Sequence, residues 1–247
     1  MAEMLMQASE LSTRYGDSLA LDRLSLDIKA GETLALVGPS GSGKSTLARC
    51  LLRLQALDAG SIRFEGRDWL SLKGAALRTH RARMQMVFQD PLSAFNPRAS
   101  VYDLLREPLR IHGVKRDIAE LLQKVGLDPK LAQRGVHEIS GGQRQRVAIA
   151  RALATSPSLI VLDEAVSALD TTVRAAILKL LHQIQTAEAT AYLFITHDLS
   201  VAAQMADRIA VMAHGRIVEC RPTQELISAP QAPVTKALIE AVPKILV

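Results

Sequence analysis

Lys44 and Ser45 stand directly behind a run that bares the backbone, Gly38-Pro39-Ser40-Gly41-Ser42-Gly43. They complete a G-x-x-x-x-G-K-[ST] pattern, with Thr46 next, after the strand-like "TLALV" (33–37). Residues 45–54 follow, with apolar side chains at i, i+3 and i+4, as in a helix. Glycines remove the Cβ atoms that would keep a phosphate away from the backbone. Exposed amides and a helix N-terminus add partial positive charge. The Lys44 ammonium can reach β- and γ-phosphates, and the Ser45 hydroxyl can ligate Mg²⁺. A flexible Gly/Ser turn is the plain alternative. Average residue frequencies put a chance match in 247 residues at on the order of 1%, and the flanking pattern lowers it further. The stretch reads as a cradle for a nucleoside triphosphate.

Four more polar residues follow short apolar runs. Gln89 comes after "MQMVF" (84–88), Asp163 and Glu164 after "LIVL" (159–162), and His197 after "AYLFIT" (191–196). In a parallel sheet all strands share a direction, so these ends should meet on the edge where the phosphate loop emerges. Asp163 suits a hold on Mg²⁺. Glu164, pointing elsewhere, suits a water in line with the γ-phosphate. Either acid alone reads equally as an ordinary strand-to-loop carboxylate; the phosphate loop favours the catalytic reading. His197 alone would be a structural histidine, and its place on that edge favours sensing of the γ-phosphate. Gln89, ahead of "DP", could equally cap a turn.

"HEISGGQRQRVAIARALA" (137–154) places Ser140, Gly141, Gly142 and Gln143 ahead of an apolar stripe at Val147, Ala148, Ala150, Leu153 and Ala154. Ser140 is a good helix N-cap. A cap needs one residue, however, and glycines in a first turn cost about 1 kcal/mol each. A second phosphate-contacting helix start would offset that.

These residues need elements to position them. Apolar runs at 33–37, 84–88, 159–162, 191–195 and 208–212 alternate with helical patterns such as 171–184, which predicts a mainly parallel sheet covered on both faces. The first 30 residues read instead as antiparallel strands with a turn at "AG" (30–31), and residues 91–155 as almost wholly helical. The chain is 48% hydrophobic and 22% charged, ordinary for a globular protein. No run approaches a membrane span of roughly 18–20 apolar residues. "MAEMLMQASE" lacks the regions of a signal peptide, and Cys50 and Cys220 have no metal-ligand spacing, so a cytosolic setting with free thiols is expected. The net charge of +5 permits nucleic acid, anionic lipid or phosphate ligands. The basic clusters at 78–83 and 144–146 lack interleaved aromatics and read as solvated helix faces.

The phosphate loop, "ISGGQ" and "LIVLDE" together resemble the motifs of ATP-binding cassette (ABC) ATPases, over nearly the whole chain. "SALD" (167–170) is similar to the D-loop, "ITHD" (195–198) to the switch-histidine motif, and "VFQD" (87–90) to the Q-loop; Tyr15 falls where an aromatic stacks on adenine. The resemblance implies an α/β P-loop NTPase cassette: a RecA-like core with its β subdomain at 1–90 and 156–220, a helical signature subdomain at 91–155 and a C-terminal extension at 221–247. It implies MgATP on Gly38–Thr46, with Mg²⁺ served by Ser45, Gln89 and Asp163. It also implies hydrolysis by Glu164 with Lys44, Gln89 and His197, and closure by Ser140–Gln143 of a partner cassette. "VFQDPLSAFNPR" (87–98) and the tail at 221–243 resemble the peptide/nickel importer family. Ala165-Val166 after Glu164 and the short tail are similar to nickel-importer cassettes, which favours nickel or a metal chelate over peptides. The implied partners are a second, different ATPase subunit, two integral-membrane permeases and, indirectly, an extracytoplasmic binding protein. Nucleic acid is not among them, and the implied place is the cytoplasmic face of the inner membrane. Residues 91–112, with Phe95, Asn96, Tyr102 and Leu104, would dock a permease, or else simply pack as helix. A soluble cassette ATPase of DNA maintenance or translation is the alternative class. Against it stand the absence of sustained heptads between Lys44 and Ser140 and the presence of one cassette, not two.

Overall fold

Every residue of "TLALV", "LIVLD" and "AYLFI" is buried. A strand with one wet face would alternate, so unbroken burial means cover on both faces. The computed structural model describes residues 3–16 and 18–241, Tyr15 by its backbone alone. In chain order the elements begin with β1 (Met4–Tyr15), β2 (Ser18–Lys29), β3 (Thr33–Val37), α1 (Lys44–Leu51), β4 (Ala59–Phe64) and β5 (Arg67–Asp68). Then come α2 (Gly74–Arg81), β6 (Met84–Val87), α3 (Val101–His112), α4 (Ile118–Lys124), α5 (Gly141–Leu153), β7 (Leu159–Asp163) and α6 (Thr171–Glu188). The chain closes with β8 (Ala191–Ile195), α7 (Leu199–Met205), β9 (Arg208–Ala213), β10 (Arg216–Pro222), α8 (Thr223–Ser228) and α9 (Pro233–Glu240). They fall into two compact units, Met1–Leu72 with Ala189–Val247, and Lys73–Glu188.

The first unit holds an antiparallel sheet in the order β2-β1-β4-β5. The expected turn at Ala30-Gly31 proves to join β2 to β3, because β1 and β2 reverse earlier, pairing Tyr15 with Ser18. The same unit contributes strands in the order β10-β9-β3-β8. β3 runs parallel to β8 and β9, whereas β10 is antiparallel to β9. β4, β5 and β10 are absent from the sequence reading because their exposed, mixed patterns do not form apolar runs.

Side chains tie these strands to one another, and one of them holds the helix behind the loop. Asp207 accepts from the Thr33 amide at 2.8 Å, and Arg208 reaches Asp27 at 3.0 Å and Glu32 at 3.2 Å. Trp69, 1% exposed, meets Phe64 edge-on with ring centroids 5.7 Å apart. Its indole N–H donates to the Leu51 carbonyl at 2.7 Å, so the last turn of α1 is held by a buried bond.

In the second unit β6 and β7 pair in parallel. Residues 91–155 are helical apart from loops, two 3-10 turns and one isolated bridge between Ser100 and Gly135. α3 starts with a reciprocal Ser100–Asp103 capping box and ends at Gly113, whose φ of 66° suits glycine. The whole stripe expected on α5 is buried, and Ala154 packs with Leu109 and Leu121. α2 buries none of its residues, in keeping with a solvated basic face. No helix among the described residues is long and apolar enough to cross a membrane.

Trp69→Phe removes the donor to Leu51 and should cost about 1–3 kcal/mol, lowering Tm by about 3–10 °C. Circular-dichroism melting would read this, and an unchanged Tm would mean that the bond does not hold α1.

Candidate nucleotide site

The glycines of the phosphate loop serve two purposes, and neither was visible in their spacing. A Cβ on Gly38 would stand 2.1 Å from the Met212 carbonyl oxygen, and one on Gly43 would stand 2.5 Å from that of Ala20. At these two positions the protein's own backbone demands glycine. Gly41 meets nothing within 4 Å and instead adopts a φ of +77°, which few other residues tolerate. The loop then wraps around Lys44, 7% exposed, whose Nζ donates to the carbonyls of Gly38 and Pro39 at 2.9 Å each. The Ser42 hydroxyl is 3.4 Å from the same nitrogen. Pro39, Ser40 and Gly41 are exposed, and Ser45 and Thr46 are half-buried. α1 begins at Lys44 with no side-chain cap and no acid in its first turn. A helix start left this way favours an anion.

The turn between β9 and β10 braces the loop, a role the sequence reading missed. The Gly215 amide donates to the Ser42 carbonyl, and the Asp22 amide to that of Gly215, both at 3.0 Å. The available signal was His214-Gly215 between two apolar runs, a hairpin pattern.

In the same unit Leu36 pairs with Ile195, so Gly38 and His197 leave neighbouring parallel strands at the same end. His197 is exposed. Its neighbours hold it: the Thr196 amide donates to the Leu36 carbonyl at 3.2 Å, and Asp198 caps α7 through the amides of Ser200 and Val201.

The second unit gathers its own pair. Val87 is in register with Leu162, so Gln89 and Glu164 both lie just past the same end of β6 and β7. Asp163 is the buried last residue of its strand, while Glu164 adopts a φ of +48°. A non-glycine residue held there costs about 1–2 kcal/mol, and such residues gather at functional sites. The kink takes the second carboxylate out of the line of the strand. Gln89 does not cap the following turn, because Asp90 does so through the Leu92 amide at 3.0 Å. The plain reading of Gln89 falls away.

Ser140 caps α5 as expected. Its Oγ accepts from the Gln143 amide at 3.2 Å, and Gln143 Oε1 accepts from the Ser140 amide at 2.9 Å. The two glycines differ. A Cβ on Gly142 would stand 2.9 Å from Cγ1 of Val173, so a larger residue there would have to displace that side chain of α6. At Gly141 the nearest atom would be the Arg144 guanidinium, 3.9 Å away. Nothing inside the unit requires a glycine there. Beside α3 lies a cavity of about 360 Å³ lined by Asn96, Ala99, Asp103, Leu104, Arg106, Glu107 and Arg110. Of the other residues named for docking, Phe95 is buried and Tyr102 is exposed beneath the Arg106 guanidinium. The side chain of Tyr15 lies outside the described residues.

A glycine-bared loop between a buried parallel strand and an uncapped helix defines a phosphate-loop nucleotide-binding protein of the α/β class. More narrowly, the profile of the ABC transporter family matches residues 21–167, and the chain belongs to that family. It is 44% identical over 98% of its length to the glutathione import ATP-binding protein GsiA of Pectobacterium atrosepticum. It is 49% identical over 91% of its length to the probable peptide ABC transporter ATP-binding protein y4tS of Sinorhizobium fredii. The chain spans 42% of the first relative and 65% of the second. Among solved structures, cbiO1 of Clostridium perfringens superposes with a TM-score of 0.80 at 28% identity, covering 92% of both chains. The cassette MJ0796, solved as a dimer with ADP and Pi, superposes at 0.79 with 27% identity, covering 89% of this chain and 99% of the other. The fold is that of an ATP-binding cassette.

The two signature glycines should separate in a melting experiment. Gly141→Ala should hold or raise stability, by up to about 1 kcal/mol, since alanine is the better helix former. Gly142→Ala should lose about 1–3 kcal/mol against Val173. Equal losses at both positions would show that Gly141 too is required by the fold of the single chain.

Proposed function

We propose that this chain binds and hydrolyses ATP as the energising subunit of an ABC importer for short peptides, glutathione-like tripeptides among them. The observation that carries the reading is the phosphate loop: an uncapped, acid-free start of α1 behind a backbone curled on a buried ammonium. The names of the relatives, glutathione and peptide import, support the cargo class. The nickel reading of the sequence rested on Ala165-Val166 and the tail, and it gives way to the peptide reading. In this reading cargo selection belongs to the permeases and the extracytoplasmic binding protein.

In this reading Gly38–Thr46 and Lys44 hold the triphosphate, and Tyr15 stacks on the adenine. Ser45, Gln89 and Asp163 would hold Mg²⁺; when bound, the ion neutralises charge on the phosphates. Glu164 orients and deprotonates the attacking water, and His197 senses the γ-phosphate. Ser140, Gly141, Gly142 and Gln143 serve the nucleotide of a second, different cassette. The open surroundings of Gly141 support this, because a glycine that its own chain does not need suits close approach by something else. In the same reading the surface beside α3 docks a permease, and the chain works at the cytoplasmic face of the membrane.

Glu164→Gln should lower turnover about 10²- to 10⁴-fold with ATP still bound; unchanged turnover would remove Glu164 as the base. Lys44→Ala should abolish binding or hydrolysis, and retention of both would undo the cradle. Gly141→Ala should fold normally yet hydrolyse poorly in the assembled dimer, and full activity there would exclude the shared site. A deletion strain should lose uptake of glutathione or dipeptides. Loss of Ni²⁺ uptake alone would return the cargo to nickel.

A further inference from the structure

Glu219 is a carboxylate almost wholly withdrawn from water, its side chain only 4% exposed. It sits on β10 and accepts from the amides of Gln231 at 3.1 and 3.2 Å and of Ala232 at 2.9 Å. Those residues lead into α9, whose own N-cap position is Ala232 and supplies no side-chain bond. A carboxylate from another element therefore does the capping, where a negative charge also favours the helix dipole. Burial would raise the pKa of Glu219. The side chain of Thr235, the amides of Ala232 and Gln231, and Arg221 together outweigh it and hold the group below the ordinary carboxylate value.

The clasped helix bears on the nucleotide-binding unit from beneath. Val234, Leu238 and Ile239 of α9 pack against a buried cluster of Ala35 and Val37 from β3, Leu199 and Ala202 from α7, Ile209 and Val211 from β9, and Leu226 from α8. β3 delivers the phosphate loop, and α7 begins two residues after His197. The two are held differently. β3 has a strand ladder on each side, with β8 and with β9. α7 is seven residues long, too short to persist on its own hydrogen bonds. It depends on the Asp198 cap and on this cluster.

We infer that Glu219 is a positioning residue for the hydrolytic site: by fixing α9 against the cluster it holds α7, and through α7 it sets His197. The inference rests on the γ-phosphate role proposed for His197. It bears on turnover rather than on nucleotide binding, because the ladders keep β3 in place when α9 loosens.

The test is made on the full chain, assembled with its transporter partners for kinetics and alone for hydrogen exchange. Glu219→Gln keeps the size of the side chain and removes its charge. Exchange of the amides at 231–240 and at 199–205 should both accelerate. With ATP as substrate, kcat should fall about tenfold while KM stays within about twofold. Leu238→Ala leaves the carboxylate intact and loosens the same contact, so it should reproduce both changes, and it decides the matter if Glu219→Gln does not fold. Acceleration confined to 231–240 would overturn the inference, as would a rise in KM at constant kcat. An inactive wild type would count against the ATPase reading itself, and exchange at 199–205 would still judge the clasp.

Discussion

A buried ammonium organises the nucleotide-binding end of this protein. Lys44 is out of water, and withdrawing such a charge costs several kcal/mol unless oxygen atoms replace its hydration. The loop supplies them: the carbonyls of Gly38 and Pro39, with Ser42 close by. The chain can curl that tightly only because Gly38 and Gly43 yield to the backbones of Met212 and Ala20. The positive charge thus draws the carbonyls of the loop around itself. The strands that carry Met212 and Ala20, β9 and β2, come from distant parts of the chain.

The same economy recurs at the strand ends. Asp163 and Glu164 are neighbours in sequence, yet the first closes a buried strand and the second sits in a left-handed kink. Two adjacent carboxylates thereby receive different environments, as the proposed division of labour between metal and water requires. His197 is likewise displayed by its neighbours, with Thr196 tied to β3 and Asp198 capping the helix that follows. Each candidate residue is presented by a backbone device of its own strand end.

Much of this was legible in the sequence. The all-buried strands appear as unbroken apolar runs because a strand covered on both faces has no polar side to interrupt it. The long helical stretch at 91–155 showed its period, and Ser140 announced its cap. Other features left no such trace. β10 was missed because its exposed and half-buried residues, with a buried glutamate among them, form no apolar run. The hairpin turn was misplaced because Ala30-Gly31 looks like a reversal and in fact links two sheets. The nickel reading, drawn from Ala165-Val166 and the short tail, finds no specific support, since the relatives' names point to glutathione and peptide import.

The sequence alone determined the chemistry on offer, since residue type and spacing in G-x-x-x-x-G-K-[ST] and "LIVLDE" are local properties that survive without coordinates. It also determined which segments are strands of the core, because burial on both faces is written as composition. Only the tertiary structure decided why each glycine is there. Gly38, Gly43 and Gly142 answer to Met212, Ala20 and Val173, contacts made across long stretches of chain, while Gly41 answers to its own φ and Gly141 to nothing within its unit. The bond from Glu219 to α9 and the cluster beneath α7 belong to the same class of fact. A missing side chain reads the same on the page whatever stands opposite it, and what stands opposite is settled when the chain folds.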